Sequence, residues 1–444
     1  MKLQPFNFED SASFAARLDE NNPLKSYRGK FFFPKQTNGE ELIYFTGNSL
    51  GLMPKTVRGF IDQELEDWEK LGVNAHMQAK DPWLSYHELL TEPMARIIGA
   101  KPIETVVMNT LTVNLHLLLV SFYRPTAERF KIVIEKGAFP SDQYAVKSQI
   151  EVWSSNFSWL PDGEEPAKAG TPNSGTPNLI ELAPREGEAT LRTEDIVESI
   201  EREGEAIALI MLGGVNYLTG QAFDMQAITE AGHKVGAFVG FDLAHAVGNI
   251  DLQMHDWGVD FAPWCSYKYL NGGPGACGGV FIHERHANNF DIPRLAGWWG
   301  HDKETRFLMG PDFQPIPGAE GWQVSNPSVL QMAAMRASLD IFEEAGMPAL
   351  IEKSRKLTGY LEFLIDEIDD ERISIITPRN PPERGCQLSI SVKTDGKTLH
   401  QKLLAKGVSV DWREPSIIRA APAPLYNSFS DVFRFAEILK DCLN

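Results

Sequence analysis

VGAFVGFDLAHAVG (residues 235–248) and GVDFAPWCSYKYLNGGPGACGGVFIH (residues 258–283) decide the reading of this chain. In the first, the apolar run 237–241 has the composition of a strand buried on both faces. It ends on Asp242, and His245 follows three residues later. A carboxylate at the carboxyl end of a buried parallel strand sits where open α/β sheets bind ligands. Aspartate is also a favoured helix N-cap, and an ordinary cap would account for it too. In the second stretch Lys268 stands between Tyr267 and Tyr269, after Ser266 and before a Gly-rich run. A lysine in such an apolar, aromatic setting is partly desolvated. That favours the neutral amine and suits Schiff-base chemistry. The alternative is a lysine that reaches the surface or pairs with an acid.

Outward from these stretches, short apolar runs at 105–108, 131–135, 206–212, 237–242, 261–265 and 278–283 alternate with helical patterns. That alternation predicts a mostly parallel sheet covered by helices on both faces. The Gly-, Pro-, Ser- and Asn-rich stretch 154–190 interrupts it and reads as a surface excursion. On the amino side we expect a short helix at 11–21, a strand at 43–48 and helices at 56–71 and 83–98. In the first long helix Val57, Phe60, Ile61, Leu65 and Trp68 recur at three- and four-residue steps. From Asn326 the texture becomes α+β. Helices are expected at 328–344, 349–368 and 430–443, and strands at 373–376, 387–392 and 408–412. The expected division is an N-terminal arm with a small-domain segment (1–60), a large domain (61–325) and a smaller C-terminal α+β domain (326–444).

The chain has 444 residues, 43% of them apolar, ample for a large core. A formal charge of −18 repels phosphate backbones and anionic lipid, so neither nucleic acid nor a membrane is an expected partner. Four scattered cysteines without a CxxC pair indicate neither a metal site nor a disulfide framework, and fit a cytoplasmic protein. MKLQPFNFED lacks the apolar core of a signal peptide, and no apolar run reaches the ~20 residues needed to span a bilayer.

Pyridoxal 5′-phosphate needs a lysine for its aldehyde and an acid opposite its pyridine nitrogen. A strand-end aspartate followed by a strand, Ser-x-Lys and a Gly-rich turn resembles the fold type I pyridoxal-phosphate enzymes, in particular the aminotransferase class V group. The resemblance implies a large domain with a mostly parallel seven-stranded sheet between helices and a smaller α+β C-terminal domain. Two further turns fit it. In MNTLTVNLHLLL (108–119) polar residues lead from a strand into an apolar helix, where backbone N–H groups could hold a phosphate. In AFPSDQYA (138–145) Phe139 could stack on a ring and Asp142 could orient a polar group, although Pro-Ser-Asp is also a common turn.

YFTGNSLGLMP (44–54), FPSDQYA (139–145), VNYLTGQ (215–221), GWWGH (297–301), GWQVSNPSVL (321–330) and IIRAAPAPLYNSFSDV (417–432) extend the resemblance over nearly the whole chain, to the kynureninase family. It implies hydrolysis of L-kynurenine and/or 3-hydroxy-L-kynurenine to anthranilate or 3-hydroxyanthranilate plus L-alanine, in tryptophan catabolism and NAD biosynthesis. It implies Lys268 as the cofactor lysine, Asp242 on the ring nitrogen with His245 beside it, and Tyr267 as a proton carrier. Leu111 and Thr112 match phosphate-loop positions, and Phe139, Pro140, Ser141 and Asp142 the ring-facing turn. Trp298 and Asn326 complete the pocket from the partner in a homodimer. Arg419 would hold the substrate carboxylate, and His76 with Asn326 would line the aryl end, a pattern that leans toward the 3-hydroxy substrate. Two positions depart from the family. Gly213 stands where a hydroxyl residue is frequent, and Trp299 where phenylalanine is common, which would narrow the aryl pocket. Another class V enzyme remains open as an alternative, an aminotransferase or a cysteine desulfurase using Cys386. So does a non-catalytic cofactor-binding protein.

Overall fold

The structure, a computed structural model, describes residues 7–153 and 178–444. Its strands are β1 (Ile43–Tyr44), β2 (Thr105–Val107), β3 (Lys131–Glu135), β4 (Leu179–Leu182), β5 (Ile207–Gly213), β6 (Phe238–Asp242), β7 (Phe261–Trp264) and β8 (Gly279–Ile282), followed by β9 (Ile373–Ile375), β10 (Leu388–Val392), β11 (Val408–Ser409), β12 (Asp411–Arg413) and β13 (Ile417–Ala420). Seven of them form one sheet in the order β2-β8-β7-β6-β5-β3-β4. Only β8 runs antiparallel to its neighbours.

The apolar runs are continuous because both faces of this sheet are covered. Val133, Ile210, Leu212, Val239 and Phe241 enter one core cluster, with Ile196, Ile200 and Ile228 of the covering helices. Their alternates Ile132, Ile134, Leu209 and Met211 enter another, with Leu115, Leu118 and Phe122 of the helix Leu111–Phe122. Gly240 is required at the crossing of β6 and β7, since a Cβ there would lie 2.3 Å from the ring of Phe261.

The second sheet, β12-β13-β10-β9, is antiparallel. It shares a core with the helices Met347–Ile368 and Phe429–Leu443, to which Phe14, Ile43 and Phe45 of the amino-terminal segment also belong. β1 pairs in parallel with β11, and the helix Ala12–Glu20 packs on Phe429–Leu443. Ser11 caps the former and Ser428 with Asp431 forms a capping box on the latter.

The structure corrects three expectations. Of the stretch 154–190, residues 154–177 lie outside the described residues; the remainder is no mere excursion but supplies β4, the half-exposed edge strand of the large sheet. The strand expected at 408–412 is two strands. At the buried Val410 the chain leaves β1 and joins β13. In the helix Val57–Leu71, Leu65 and Trp68 are exposed, while Glu64 and Asp67 are buried. Glu64 accepts from Trp83 Nε1 (2.8 Å) and Tyr86 Oη (2.9 Å), and Asp67 from the backbone N–H of Lys80 (3.2 Å). Hydrogen-bonded carboxylates can be buried, and apolar periodicity alone does not reveal them.

Candidate active site at the carboxyl ends of the parallel strands

β3, β5 and β6 end side by side on Glu135, Gly213 and Asp242. Above them opens a cavity of about 170 Å³, lined by these three residues and by Thr110, Leu111, Thr112, Phe139, Ser141, Asp142, Tyr217, His245, Tyr267 and Lys268, among others. The structure thus brings together most of the residues expected at the site, from turns well separated in sequence.

Lys268 lies on the loop after β7 and is 9% exposed. Its Nζ is 3.0 Å from His245 Nε2 and 5.8 Å from the ring centres of both Phe139 and Tyr267. Burial, with the nearby Lys268 charge, holds the His245 imidazole well below its usual titration range. His245 is therefore neutral, and its Nε2 can accept from Lys268 Nζ. Burial also raises Asp242, opposed by the attraction of Lys268, while its Oδ1 accepts from the N–H of Ala244 at 2.7 Å. Asp142, near the start of the helix Pro140–Trp153, is raised further by burial and by the Asp242 charge. Burial pushes the Tyr267 phenol upward, so it keeps its proton at neutral pH.

On the opposite wall the helix Leu111–Phe122 begins with no side-chain cap on its first N–H groups. Its entry turn is locked by Asn114, whose Nδ2 donates to Met108 O (2.9 Å) and whose Oδ1 accepts from Asn109 Nδ2 (3.0 Å). Asn109 takes a left-handed φ of +48°, which asparagine tolerates. Gly278 passes beneath the turn; a Cβ there would lie 2.4 Å from Trp264 O and 3.3 Å from Leu111 N.

These features fit pyridoxal phosphate. A buried amine and a strand-end carboxylate line the same cavity, and Asp142 Oδ1 and His245 Nδ1 are buried polar atoms without partners. Phe139, 41% exposed and edge-on to Tyr217 at 5.2 Å, stands at the rim as a ring-sized apolar surface. Uncapped N–H groups at a helix start suit a phosphate.

Other expected residues lie outside this cavity. Pro140 is the exposed first residue of its helix. Arg419, on β13, is 1% exposed; its Nη1 donates to Tyr217 O (2.6 Å) and its Nη2 is paired with Asp411. His76 Nδ1 donates to Val73 O (3.0 Å), and the ring meets Trp83 edge-on. Trp298 (48% exposed) and Asn326 face away from the chain's own interior. Trp299 is 2% exposed beneath the Arg306 guanidinium, so it fills the core and does not border this cavity.

Three neighbours were missed in the sequence. Glu135 and Tyr217 line the cavity, and Asp411 pairs with Arg419. Glu135 shared with Asp242 the signal of a carboxylate ending a buried strand. Tyr217 and Asp411 gave none, since both reach the site through tertiary folding.

Comparison with known proteins adds the following. The family model described as kynureninase C-terminal domain matches residues 350–439. The kynureninase of Myxococcus xanthus is 57% identical over 436 residues, 98% of each chain. That of Koribacter versatilis is 56% identical over 430 residues, 97% of each. Among solved structures, the cysteine desulfurase CsdA of Escherichia coli superposes with a TM-score of 0.73 over 95% of this chain and 98% of its own, at 14% identity, a likeness of fold alone.

Proposed function

The chain belongs to the kynureninase family, and from that premise we propose how its residues perform the reaction. It is a pyridoxal-phosphate-dependent hydrolase that cleaves the Cβ–Cγ bond of L-kynurenine and/or 3-hydroxy-L-kynurenine, releasing L-alanine and the corresponding anthranilate. This places it in tryptophan catabolism and NAD biosynthesis. The observation that carries the reading is the buried Lys268 amine and the buried Asp242 carboxyl lining one cavity.

Pyridoxal phosphate, when bound, supplies the electron sink for the negative charge left on the substrate. Lys268 would hold it through its Nζ, and that same atom, when free, takes the substrate α-proton. Asp242 is the carboxylate that would pair with the ring nitrogen and hold its proton. His245, neutral, accepts a hydrogen bond at Nε2 and fixes the position of the lysine. Tyr267, still protonated, delivers and recovers a proton at Oη. Leu111 and Thr112 at the helix start would hold the phosphate, and Phe139, with Pro140, Ser141 and Asp142 of the same turn, would hold the ring. Arg419 grips the substrate α-carboxylate with a guanidinium fork, exchanging Asp411 for the ligand.

His76, Trp298 and Asn326 are assigned to the aryl and phosphate ends of a pocket shared across a homodimer. The exposure of Trp298 and Asn326 supports this. We place the protein in the cytoplasm, in keeping with four free cysteines. No helix among the described residues is long and apolar enough to cross a membrane. A cysteine desulfurase is disfavoured because Cys386 is fully buried and burial pushes its thiol up to about 12.

Incubation with each kynurenine, followed by fluorescence of the anthranilate formed, tests the activity and ranks the two substrates. Borohydride reduction and peptide mapping should place the cofactor on Lys268. A purified, cofactor-supplemented protein with neither turnover nor an adduct at that position would refute the reading.

A further inference from the structure

β12 and β13 bring two arginines onto one carboxylate. Asp411 lies directly across the strand pair from Arg419, and Arg413 follows two residues later on the same face. Asp411 Oδ2 accepts from Arg419 Nη2 (2.5 Å), Arg413 Nη2 (3.2 Å) and Ser49 Oγ (2.5 Å). Among the described residues neither guanidinium has another acidic partner. Two cations thus share one anion, and the trio carries a net positive charge that one further carboxylate would cancel.

Three buried atoms of the trio have no partner: Arg419 Nε, Arg413 Nε and Asp411 Oδ1. Buried polar atoms are ordinarily hydrogen-bonded, and one rearrangement satisfies all three. When Asp411 turns about Oδ2, which Ser49 and Arg413 hold, Oδ1 meets Arg413 Nε and the two side chains form a two-point pair. Arg419 then offers Nε and Nη2 to the two oxygens of a ligand carboxylate, while its Nη1 stays on Tyr217 O (2.6 Å). The trio stands beside the cavity, since Tyr217 lines it and the charges of Arg419 and Arg413 both bear on His245. Arg413, its side chain 39% exposed against 1% for Arg419, has room to follow the movement.

We propose that Arg413 is a positioning residue that receives Asp411 when the substrate α-carboxylate takes Arg419. In the empty site Asp411 competes with substrate for Arg419. With a receiver, the exchange ends in two neutral ion pairs. Without one, it would end in a buried, unpaired Asp411 carboxylate, and substrate would bind more weakly by that cost. The reacting carbon is not involved, so the effect falls on KM and leaves kcat. This inference rests on the assignment of the substrate carboxylate to Arg419 above.

The test uses the full-length chain loaded with pyridoxal phosphate. L-Alanine, the amino-acid product, and ethylamine, the same amine without the carboxylate, are titrated separately, and visible absorbance reads binding. R413M should bind L-alanine about tenfold more weakly and ethylamine within about twofold of wild type. Its KM for kynurenine should rise about tenfold, with kcat within about threefold. R413K keeps the charge without the fork and should lose only about threefold, so misfolding of R413M would not remove the test. D411N frees Arg419 and should bind L-alanine about threefold more tightly than wild type. Adding R413M to D411N should then change binding by less than about twofold. A tenfold loss that persists in the D411N background, equal losses for L-alanine and ethylamine, or no loss in R413M would each overturn the receiver role. R419M separates the two readings. If R419M keeps the wild-type preference for L-alanine over ethylamine, the carboxylate assignment falls and this inference with it. If R419M abolishes that preference while R413M is indifferent, the role of Arg413 alone is refuted.

Discussion

Replacing Arg419 with methionine should lower kcat/KM by about 10²-fold to a few times 10³-fold. Arg419 is 1% exposed and its guanidinium is shared between Tyr217 O and Asp411. A hydrogen bond to a charged group contributes about 1.5–3 kcal/mol, and a two-point fork on a carboxylate about 3–5 kcal/mol in a water-poor site. At about 1.4 kcal/mol per factor of ten, that gives the stated range. R419M also leaves the Asp411 carboxylate, its side chain only 11% exposed, with Arg413 as its remaining cation, a further cost of about 1–2 kcal/mol to folding. The two effects separate in the double variant R419M/D411N, which should regain most of the stability and none of the turnover. Anthranilate fluorescence reports activity, urea unfolding reports stability, and visible absorbance confirms that cofactor remains bound. Turnover within fivefold of wild type in R419M, or recovered in the double variant, would show that Arg419 serves only as the counter-ion of Asp411.

Cys386→Ala should leave turnover within about twofold, because a fully buried thiol has no access to substrate; loss of activity beyond tenfold would revive a nucleophilic role. Asp260→Asn should cost about 3–5 kcal/mol, read from the urea midpoint. Asp260 is 4% exposed side chain and accepts from His233, His286, Arg285 and the N–H of Val239, and a cost under 1 kcal/mol would contradict that arrangement. Glu320 carries a pH signature. Burial alone would raise it, but hydrogen bonds from His87 and Lys303 bring it from 4.5 down to about 2. Its folded-state value is depressed, so its contribution of about 2–3 kcal/mol is present above pH 4.5 and lost as the pH falls toward 2. E320Q should therefore lose less stability than wild type between pH 5 and 2.5, and parallel curves would refute the assignment.

Strands whose side chains enter cores on both faces were legible as unbroken apolar runs, as at β3 and β6. Lys268 and Asp242 were legible because the cofactor's chemistry demands that pair of residue types. Legibility failed where partnership decides the structure. β4 is half-exposed and one neighbour wide, so its composition resembles a loop. Val408 to Trp412 reads as one run, and only the presence of β1 on one side and β13 on the other divides it. Glu64 and Asp67 looked solvent-facing until Trp83, Tyr86 and Lys80 supplied donors. Glu135 passed for an ordinary strand end because its significance lies in the two carboxyls brought beside it.

The pairing of β1 with β11 ties the order of synthesis to the order of assembly. As the chain emerges from the ribosome, Phe14, Ile43 and Phe45 wait, apolar and uncovered, until residues some 350 positions later arrive to receive them. The parallel-stranded layer can close first, whereas the carboxyl-terminal lobe completes itself only around a segment made at the very beginning. Residues 350–439, cut out and expressed alone, would keep their helices but present the vacated apolar groove to water, and would aggregate unless a peptide spanning residues 8–46 were supplied in trans.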